Sequence, residues 1–355
     1  MQTTNNLATQ SNFSTKKLSM TGFGVASIIA LAVLPSLASA QSLPLCDIAF
    51  PNRPCLTFEQ LHGEGDNEGL QSYQVLQARW SLDFSSYVSQ IIGARNRGPG
   101  KRPAVAGLDQ ANTGLAAGAG GERWNGWVAA AHSNMDHSFL KASGHANVAL
   151  GGVDYTLDND VILGVASTIE RSRTSSFGTR IEGDGYSFAP YVAVPLNANW
   201  LLDASLGFGR TDVDSITGAF VVTAKDRRTF ESLSITYGTD MGKWQVQGKA
   251  SYLGSKDKFN TTPSTTSKLN QVRVGGLATY DAGSVLPFVG VTFIRDVSTP
   301  PPIFGSANDR DAIQLQAGVN IYSKGPLSGG LSYSYEANRK EIKNNVFVAN
   351  LSYRF

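Results

Sequence analysis

The sequence predicts an all-β protein, a single-chain antiparallel transmembrane β-barrel of about 12 strands with a short helical and flexible segment before it. Three observations predict this class. From residue 124 onward, polar and apolar residues alternate in segment after segment. The connections between these segments are alternately long and short. Charged residues make up only 16% of the chain, while 37 of its 355 residues are glycine, which excludes a disordered tail or a charge-rich coiled coil.

The first 40 residues are typical of an export signal peptide. Lys16 and Lys17 precede an apolar run over residues 21–37, and small residues at 38–40 fit a cleavage site. A membrane anchor is the alternative, but Pro35 and several glycines and serines interrupt the run. Without the two lysines the chain has 28 basic and 28 acidic side chains, so its charge gives no basis for nucleic-acid binding.

Residues 41–69 form the next segment, which contains Cys46 and Cys55. In an oxidising compartment two cysteines at this spacing predict a local disulfide loop. A metal site needs more ligands at closer spacing, and the histidines form no recognised ligand pattern. We therefore expect no cofactor and no metal. The four histidines are His62, His132, His137 and His145.

Residues 70–123 are predicted to form an amphipathic helix followed by a flexible linker. Apolar residues recur every third or fourth position from 70 to 94, which places them on one helix face. They are Leu70, Tyr73, Leu76, Trp80, Phe84, Tyr87 and Ile91. Glycine and proline at 98–100 end the helix, and a Gly/Ala/Pro-rich linker covers 96–123. Either the helix or the stretch 105–123 could fill a barrel lumen, or the helix could pack at one mouth.

The barrel itself is predicted over residues 124–355. Within each strand, successive side chains point to opposite faces, so alternation gives one apolar face and one polar face. The twelve predicted strands are 124–132, 146–154, 161–171, 183–194, 200–211, 229–239, 244–255, 271–280, 286–296, 311–322, 327–336 and 344–355. The alternation also fits a soluble sandwich, so alternation by itself does not decide the fold.

The connections favour the barrel. Those after odd-numbered strands are predicted to be long and those after even-numbered strands short, which sorts the long loops to one barrel end. Aromatic residues beside the short turns predict an interfacial girdle. The girdle residues are Tyr155, Trp200, Trp244 and Tyr280. In hydrocarbon every backbone donor and acceptor needs a partner, so a strand protein that crosses it must close on itself.

At this point the chain resembles the autotransporter β-domain, the translocator of type V secretion. The resemblance depends on Trp124-Asn125-Gly126-Trp127, on residues 149–155 with their Gly-Gly-Val-Asp-Tyr element, on residues 161–165 and on residues 350–355. It implies an outer-membrane location in a Gram-negative cell, periplasmic chaperones and the barrel-assembly machinery as partners, and a monomer. It also implies an assembly signal at the C-terminal residues Leu351, Tyr353 and Phe355.

The resemblance implies that the barrel translocates or displays a short N-terminal segment, since only about 83 residues lie between the predicted cleavage site and Trp124. A passenger-less pore or adhesin that acts through its lumen and long loops is the alternative. A catalytic role is not expected. Self-cleavage would use Asn112-Thr113 in the linker, and a rim hydrolase would use His137 with Asp136, Asp212 and Asp214.

Overall fold

The computed structural model describes residues 73–84, 86, 123–218, 220–260, 265–299, 310–322 and 327–354. Twelve β-strands follow one short helix, α1, which covers residues 73–84 and 86. The strands are β1 (Trp124–His137), β2 (Ala142–Thr156), β3 (Ile162–Ser176), β4 (Thr179–Pro195), β5 (Trp200–Thr217), β6 (Phe220–Met241), β7 (Trp244–Phe259), β8 (Thr265–Tyr280), β9 (Val285–Ser298), β10 (Asp311–Tyr322), β11 (Leu327–Ala337) and β12 (Ile342–Arg354).

The strands form one closed antiparallel barrel, as the sequence predicts. Each strand pairs with its neighbours in the chain, and β1 pairs with β12 to close the ring. At this seam Asn125 lies opposite Arg354 and His137 lies opposite Ile342, so the pairing covers nearly the whole of β1. Closure satisfies the backbone hydrogen bonds of both edge strands, which membrane-embedded sheets require. The prediction of twelve strands is confirmed.

The predicted difference in connection length is wrong for most connections, although residues 299–310 between β9 and β10 do form a long connection, as predicted. The segment 172–182, predicted as a loop, consists of strand except for the turn 177–178, and 212–228 is strand except for 218–219. The polar residues that suggested loops keep alternating between the two faces, so β5 and β6 continue in register until Thr217 lies opposite Phe220. The asymmetry between the two ends therefore comes mainly from strands that extend farther at one end.

We name the two ends of the barrel for clarity. The girdle end has the connections 157–161, 196–199, 242–243 and 281–284, together with the start of β1 and the end of β12. The far end has the turns 138–141, 177–178 and 218–219. Because the number of strands is even, the first and the last strand have their outer termini at the same end of the barrel, the girdle end.

The two faces of the wall follow the predicted alternation. On β7, Trp244 and Val246 are exposed on the outer face, whereas the intervening Gln245 and Gln247 are buried in the lumen. Glycines on the lumenal face leave space for large rings on the next strand. Gly207 lies directly opposite Phe230, and a Cβ at Gly207 would come within 1.9 Å of that ring. Glycine is the one residue that permits this close approach.

Helix α1 is buried on its polar face as well as its apolar face, whereas an ordinary amphipathic surface helix exposes its polar face. Tyr73, Leu76, Trp80 and Phe84 on the predicted apolar face are buried, but so are the polar residues between them, such as Arg79. A helix that is buried on all sides is surrounded by protein. Among the described residues, no helix is long and apolar enough to cross a membrane.

Candidate lumenal site

Apolar side chains of α1 pack against the inward face of the barrel on several sides. Tyr73, Leu76 and Trp80 share a buried cluster with residues from seven strands. The wall residues of that cluster are Met135, Ala146, Ile181, Val213, Ala224, Phe259 and Ile342. Leu82 packs with Leu253 and Leu269 of β7 and β8. Because these wall residues come from strands around most of the ring, α1 lies inside the lumen.

The direction of α1 follows from two aromatic contacts. Tyr73 packs edge to face with Phe259, with ring centroids 6.3 Å apart, and Phe259 is the last residue of β7 at the far end. Phe84 packs edge to face with Phe230, with centroids 4.7 Å apart, and Phe230 lies seven residues from Tyr237 at the girdle end. The helix therefore begins near the far end and runs toward the girdle end.

A buried arginine on the wall organises the first group of charges. Arg228 is 2% exposed and donates two hydrogen bonds to Glu170, at 2.8 and 2.9 Å. Its Nε donates to Oδ1 of Asp257 at 2.9 Å, and Asp226 lies 3.7 Å from the guanidinium. The bidentate geometry is the arrangement in which an arginine–carboxylate pair is strongest. We call these four residues the Arg228 cluster.

The helix contributes only neutral groups to the Arg228 cluster. Gln77 donates from Nε2 to Oε1 of Glu170 at 3.0 Å, and the hydroxyl of Ser81 lies 3.4 Å from Oδ1 of Asp257. All the charges of this cluster therefore come from the barrel wall, where one arginine is shared by three carboxylates whether or not α1 is in place.

A second group of charges connects the helix to the opposite wall. Asp296 of β9 accepts a hydrogen bond from Arg79 of α1 at 2.9 Å and two from Arg339 at 3.0 and 3.2 Å. Arg339 also donates to Glu336 at 3.2 Å. We call these four residues the Asp296 cluster. Here a charge of the helix is paired directly with a charge of the wall.

A third contact lies closer to the C-terminal end of α1. Arg273 of β8 is buried and donates two hydrogen bonds to Oε1 of Gln271, at 2.9 and 2.8 Å. Its guanidinium also lies 3.5 Å from Asp83 and 3.4 Å from the hydroxyl of Ser86. The helix thus contributes one cation and one carboxylate to the wall, at two different positions.

The motif that suggested the family forms a compact cluster on the lumenal face near the girdle end. Trp127 donates from its indole nitrogen to the hydroxyl of Tyr191 at 3.1 Å, and that hydroxyl donates to Asp154 at 2.7 Å. Gly152 lies opposite Trp127 and Gly164 opposite Tyr191, and a Cβ at either glycine would collide with the facing ring. Sequence reasoning did not identify Tyr191, because its partners lie on strands far away in the chain.

The predicted girdle residues all lie at one end of the barrel. Trp200 and Trp244 are 40% and 48% exposed, and Tyr155 and Tyr280 lie beside the same set of turns. Each packs at an inclined angle against an aromatic residue of a neighbouring strand. The pairs are Trp124–Tyr155, Trp200–Tyr237 and Trp244–Tyr280, with centroids 5.0, 5.0 and 5.1 Å apart. The sequence analysis missed Trp124 and Tyr237.

The residues considered for a rim hydrolase do not meet. Asp136 and His137 are neighbours on β1 and face opposite sides, with His137 buried toward the lumen and Asp136 exposed on the outer face. Asp212 and Asp214 are also exposed on the outer face. His132 and His145 lie on the outer wall with their rings 6.2 Å apart. Within the described ranges, no group of three or more possible metal ligands is found.

Several predicted features lie outside the described residues. These are the signal peptide 1–40, Cys46 and Cys55, His62, the linker residues Asn112 and Thr113, and Phe355 of the assembly signal. Of that signal, Leu351 and Tyr353 are described, and both are exposed on the outer face of β12.

Comparisons with known proteins agree with this architecture. Residues 125–278 match the family described as Autotransporter beta-domain, and residues 216–355 match the one described as Outer membrane protein beta-barrel domain. No curated protein matches the chain.

Three similar solved structures are autotransporter units. The translocator domain of NalP from Neisseria meningitidis is 13% identical, with a TM-score of 0.56, over 66% of this chain and 89% of that one. The β-domain of the Bordetella autotransporter BrkA is 17% identical, with a TM-score of 0.56, over 66% and 100%. The transport unit of AIDA-I from Escherichia coli is 10% identical, with a TM-score of 0.51, over 78% and 99%. At these identities the likeness shows the fold.

Proposed function

We propose that this chain, an outer-membrane barrel with an autotransporter-type translocator domain, holds its own N-terminal segment in transit through the lumen and displays it at the cell surface. In this proposal the girdle end, where β1 begins and β12 ends, faces the periplasm, and the far end, where the strands extend beyond the apolar band, faces outward. An export signal at residues 1–40 would deliver the chain to the periplasm.

The direction of α1 is the observation that carries the proposal. Its first described residue, Tyr73, contacts Ser172 and Phe259 toward the far end, and its hydroxyl shares a hydrogen bond of 3.2 Å with Ser172. The N-terminal end of α1 therefore points toward the far end. The barrel begins at Trp124 at the girdle end, so the chain passes through the lumen between the two ends.

The contacts of α1 further support a segment that stays in the lumen after passage. Apolar residues of the helix are buried against several strands, and Arg79 is paired with Asp296. A passenger-less pore or adhesin has less support, because the helix occupies the lumen and most far-end connections are short turns.

An epitope tag inserted after residue 42 tests the display. We expect antibody to bind the tag on intact cells, and external protease to remove it. A second tag in the girdle-end turn 242–243 is the matched control, which we expect antibody to reach only after the outer membrane is permeabilised. A tag after residue 42 that behaves like the control would contradict the proposal.

The assembly signal and the disulfide remain part of the proposal. Leu351 and Tyr353 present their side chains on the outer face of β12, where the barrel-assembly machinery would meet them together with Phe355. A Cys46–Cys55 disulfide would lie in the displayed segment. Alkylation of the exported protein before and after reduction tests it, and free thiols in the untreated protein would exclude it.

A further inference from the structure

A cationic patch covers the outer wall at the far end of β5 to β8. Five basic residues share it, all exposed on the outer face. They are Arg210, Arg227, Lys256, Lys258 and Lys268. We call them the β5–β8 patch. Since the strands lie about 4.8 Å apart, four strands give the patch a width of about 14 Å, which exceeds that of one phosphate group.

Like charges face each other directly within this patch. Arg210 lies opposite Arg227, Arg227 lies opposite Lys258, and Lys256 lies opposite Lys268. Directly opposed side chains on neighbouring strands have Cβ atoms only about 5 Å apart, and like charges there are destabilising. A run of such pairs over four strands therefore costs stability unless an anion compensates it.

The outward arginines of the neighbouring strands β3 and β4 differ from those of the patch in having acidic partners. On β3 and β4 each outward arginine has a carboxylate partner. These ion pairs are Arg171–Asp184 at 2.9 Å, Arg173–Glu182 at 2.7 Å and Arg180–Glu182 at 3.3 Å. By contrast, no carboxylate of the described residues lies within 4 Å of the charged nitrogens of Arg210, Arg227, Lys258 or Lys268.

Two carboxylates border the patch without filling it. Asp212 lies opposite Lys225, farther from the girdle, and Glu231 lies opposite Gly254 on the membrane side. The patch therefore keeps an excess of positive charge on its outward face. Because the described wall does not neutralise it, its counter-ion comes from outside the chain.

The position of the patch identifies the environment that supplies this anion. Arg227 lies ten residues along β6 from the girdle residue Tyr237, which is about 33 Å of strand and about 25 Å of height at a tilt of roughly 40°. Going from Tyr237 toward Arg227, the outer face of β6 has Ile235 and Leu233 and then Glu231 and Thr229, while β8 has Val274 and Val272. The apolar, hydrocarbon-facing zone of such barrels is about 25 Å tall. The patch therefore lies beyond the apolar residues, at the level of the outer head groups.

We propose that the β5–β8 patch binds the phosphate groups of the phosphorylated glycolipid in the outer leaflet. Two rows of cations, Arg210–Arg227–Lys258 and Lys256–Lys268, offer charge-assisted hydrogen bonds to two phosphates on one sugar pair. The acyl chains of that lipid would lie against the apolar band below the patch. This inference rests on the proposed function only in assigning the far end to the outside.

Lipid binding by the purified full-length protein in non-ionic detergent tests the inference. The probes are a bisphosphorylated diglucosamine lipid, the same lipid without its phosphates, and phosphatidylglycerol. The variant is Arg227→Gln/Lys258→Gln/Lys268→Gln, and the matched control is Arg171→Gln/Arg173→Gln/Arg180→Gln on β3 and β4. Unchanged heat-dependent migration in gels verifies that each variant is folded.

We expect the wild type to prefer the bisphosphorylated lipid, with an affinity that falls as salt is added. Each cation near an anionic surface strengthens binding about fivefold, so the triple variant should bind about a hundredfold more weakly, while the control stays near the wild type. Equal binding by the triple variant, or of the dephosphorylated lipid, would overturn the inference. Equally tight phosphatidylglycerol binding would overturn the assignment to the glycolipid. None of these outcomes depends on display of residue 42.

Discussion

Two of the charged regions in the lumen differ in which part of the chain supplies their charges. In the Arg228 cluster all four charged groups belong to the wall, and α1 adds only Gln77 and Ser81. In the Asp296 cluster, Arg79 of the helix completes a group in which Asp296 also binds Arg339. All the charged groups of the Arg228 cluster are present without the helix, whereas the Asp296 cluster takes one of its two arginines from the helix.

This difference explains how α1 can be bound firmly to the wall and still enter the lumen during or after formation of the barrel. Departure of Arg79 leaves Asp296 with Arg339, so no bare carboxylate remains buried. An unpaired buried charge is among the most costly defects in a protein. In both clusters every carboxylate thus keeps an arginine of the wall within 4 Å when the helix is absent, and the helix adds further contacts.

The largest expected effect comes from breaking the wall cluster. Arg228→Met leaves the buried Glu170 and Asp257 without their cation, so we expect the free energy of unfolding in micelles to fall by about 3–5 kcal/mol. Urea unfolding measures this. The exposed pair Arg171–Asp184 supplies the control, since Arg171→Met should cost under about 1 kcal/mol. Equal losses for the two variants would show that the Arg228 cluster does not stabilise the wall.

A smaller effect is expected where wall and helix meet through packing. Gly207→Ala would place a methyl group within 1.9 Å of the Phe230 ring, which packs on Phe84 of α1. Displacing that ring should cost about 1–3 kcal/mol of unfolding free energy. Gly248→Ala on the outer face is the control, because its nearest neighbouring atom is 4.0 Å away. If both alanine variants unfold alike, the close approach has no energetic importance.

The smallest effect should come from the helix charge. Arg79→Gln removes one ion pair but leaves Asp296 bound to Arg339 and Gln271, so we expect a loss of about 1 kcal/mol. Its clearer signature is more frequent opening in single-channel recordings, because the helix is held less tightly. A loss as large as that of Arg228→Met would mean that the helix is as necessary to the wall as the wall's own charges.

Sequence reasoning predicted the barrel well because alternation is a local property. The alternation of apolar and polar residues around Trp244 and Val246 already indicates which side chains face the lipid. It predicted the burial of Leu76 and Trp80 for the same reason, through their helical spacing. The sequence analysis wrongly predicted loops at 172–182 and 212–228. Beyond the hydrocarbon zone the outward residues of a strand are polar, and a polar stretch of this kind resembles a loop.

The lumenal charges could not be paired from the sequence, and only some could be placed on the inward face. Glu170 falls within a predicted strand, but Arg228 falls in the segment 212–228 that was predicted to be a loop, and the two residues are 58 positions apart in the chain. Arg79 and Asp296 are separated by 217 residues. Such partners depend on the register of several strands and on the position of α1, which no local pattern contains. A charged residue on the polar face of a predicted strand was the available signal.

Single-channel conductance of the reconstituted protein tests the central claim, that α1 fills the lumen, most directly. Residues 73–86 are replaced by a Gly/Ser segment of equal length, which keeps the chain length while removing every side chain that contacts the wall. We expect the conductance to rise clearly above that of the unaltered protein, and deletion of residues 41–123 to raise it at least as far. A conductance that stays the same in both variants would contradict the account.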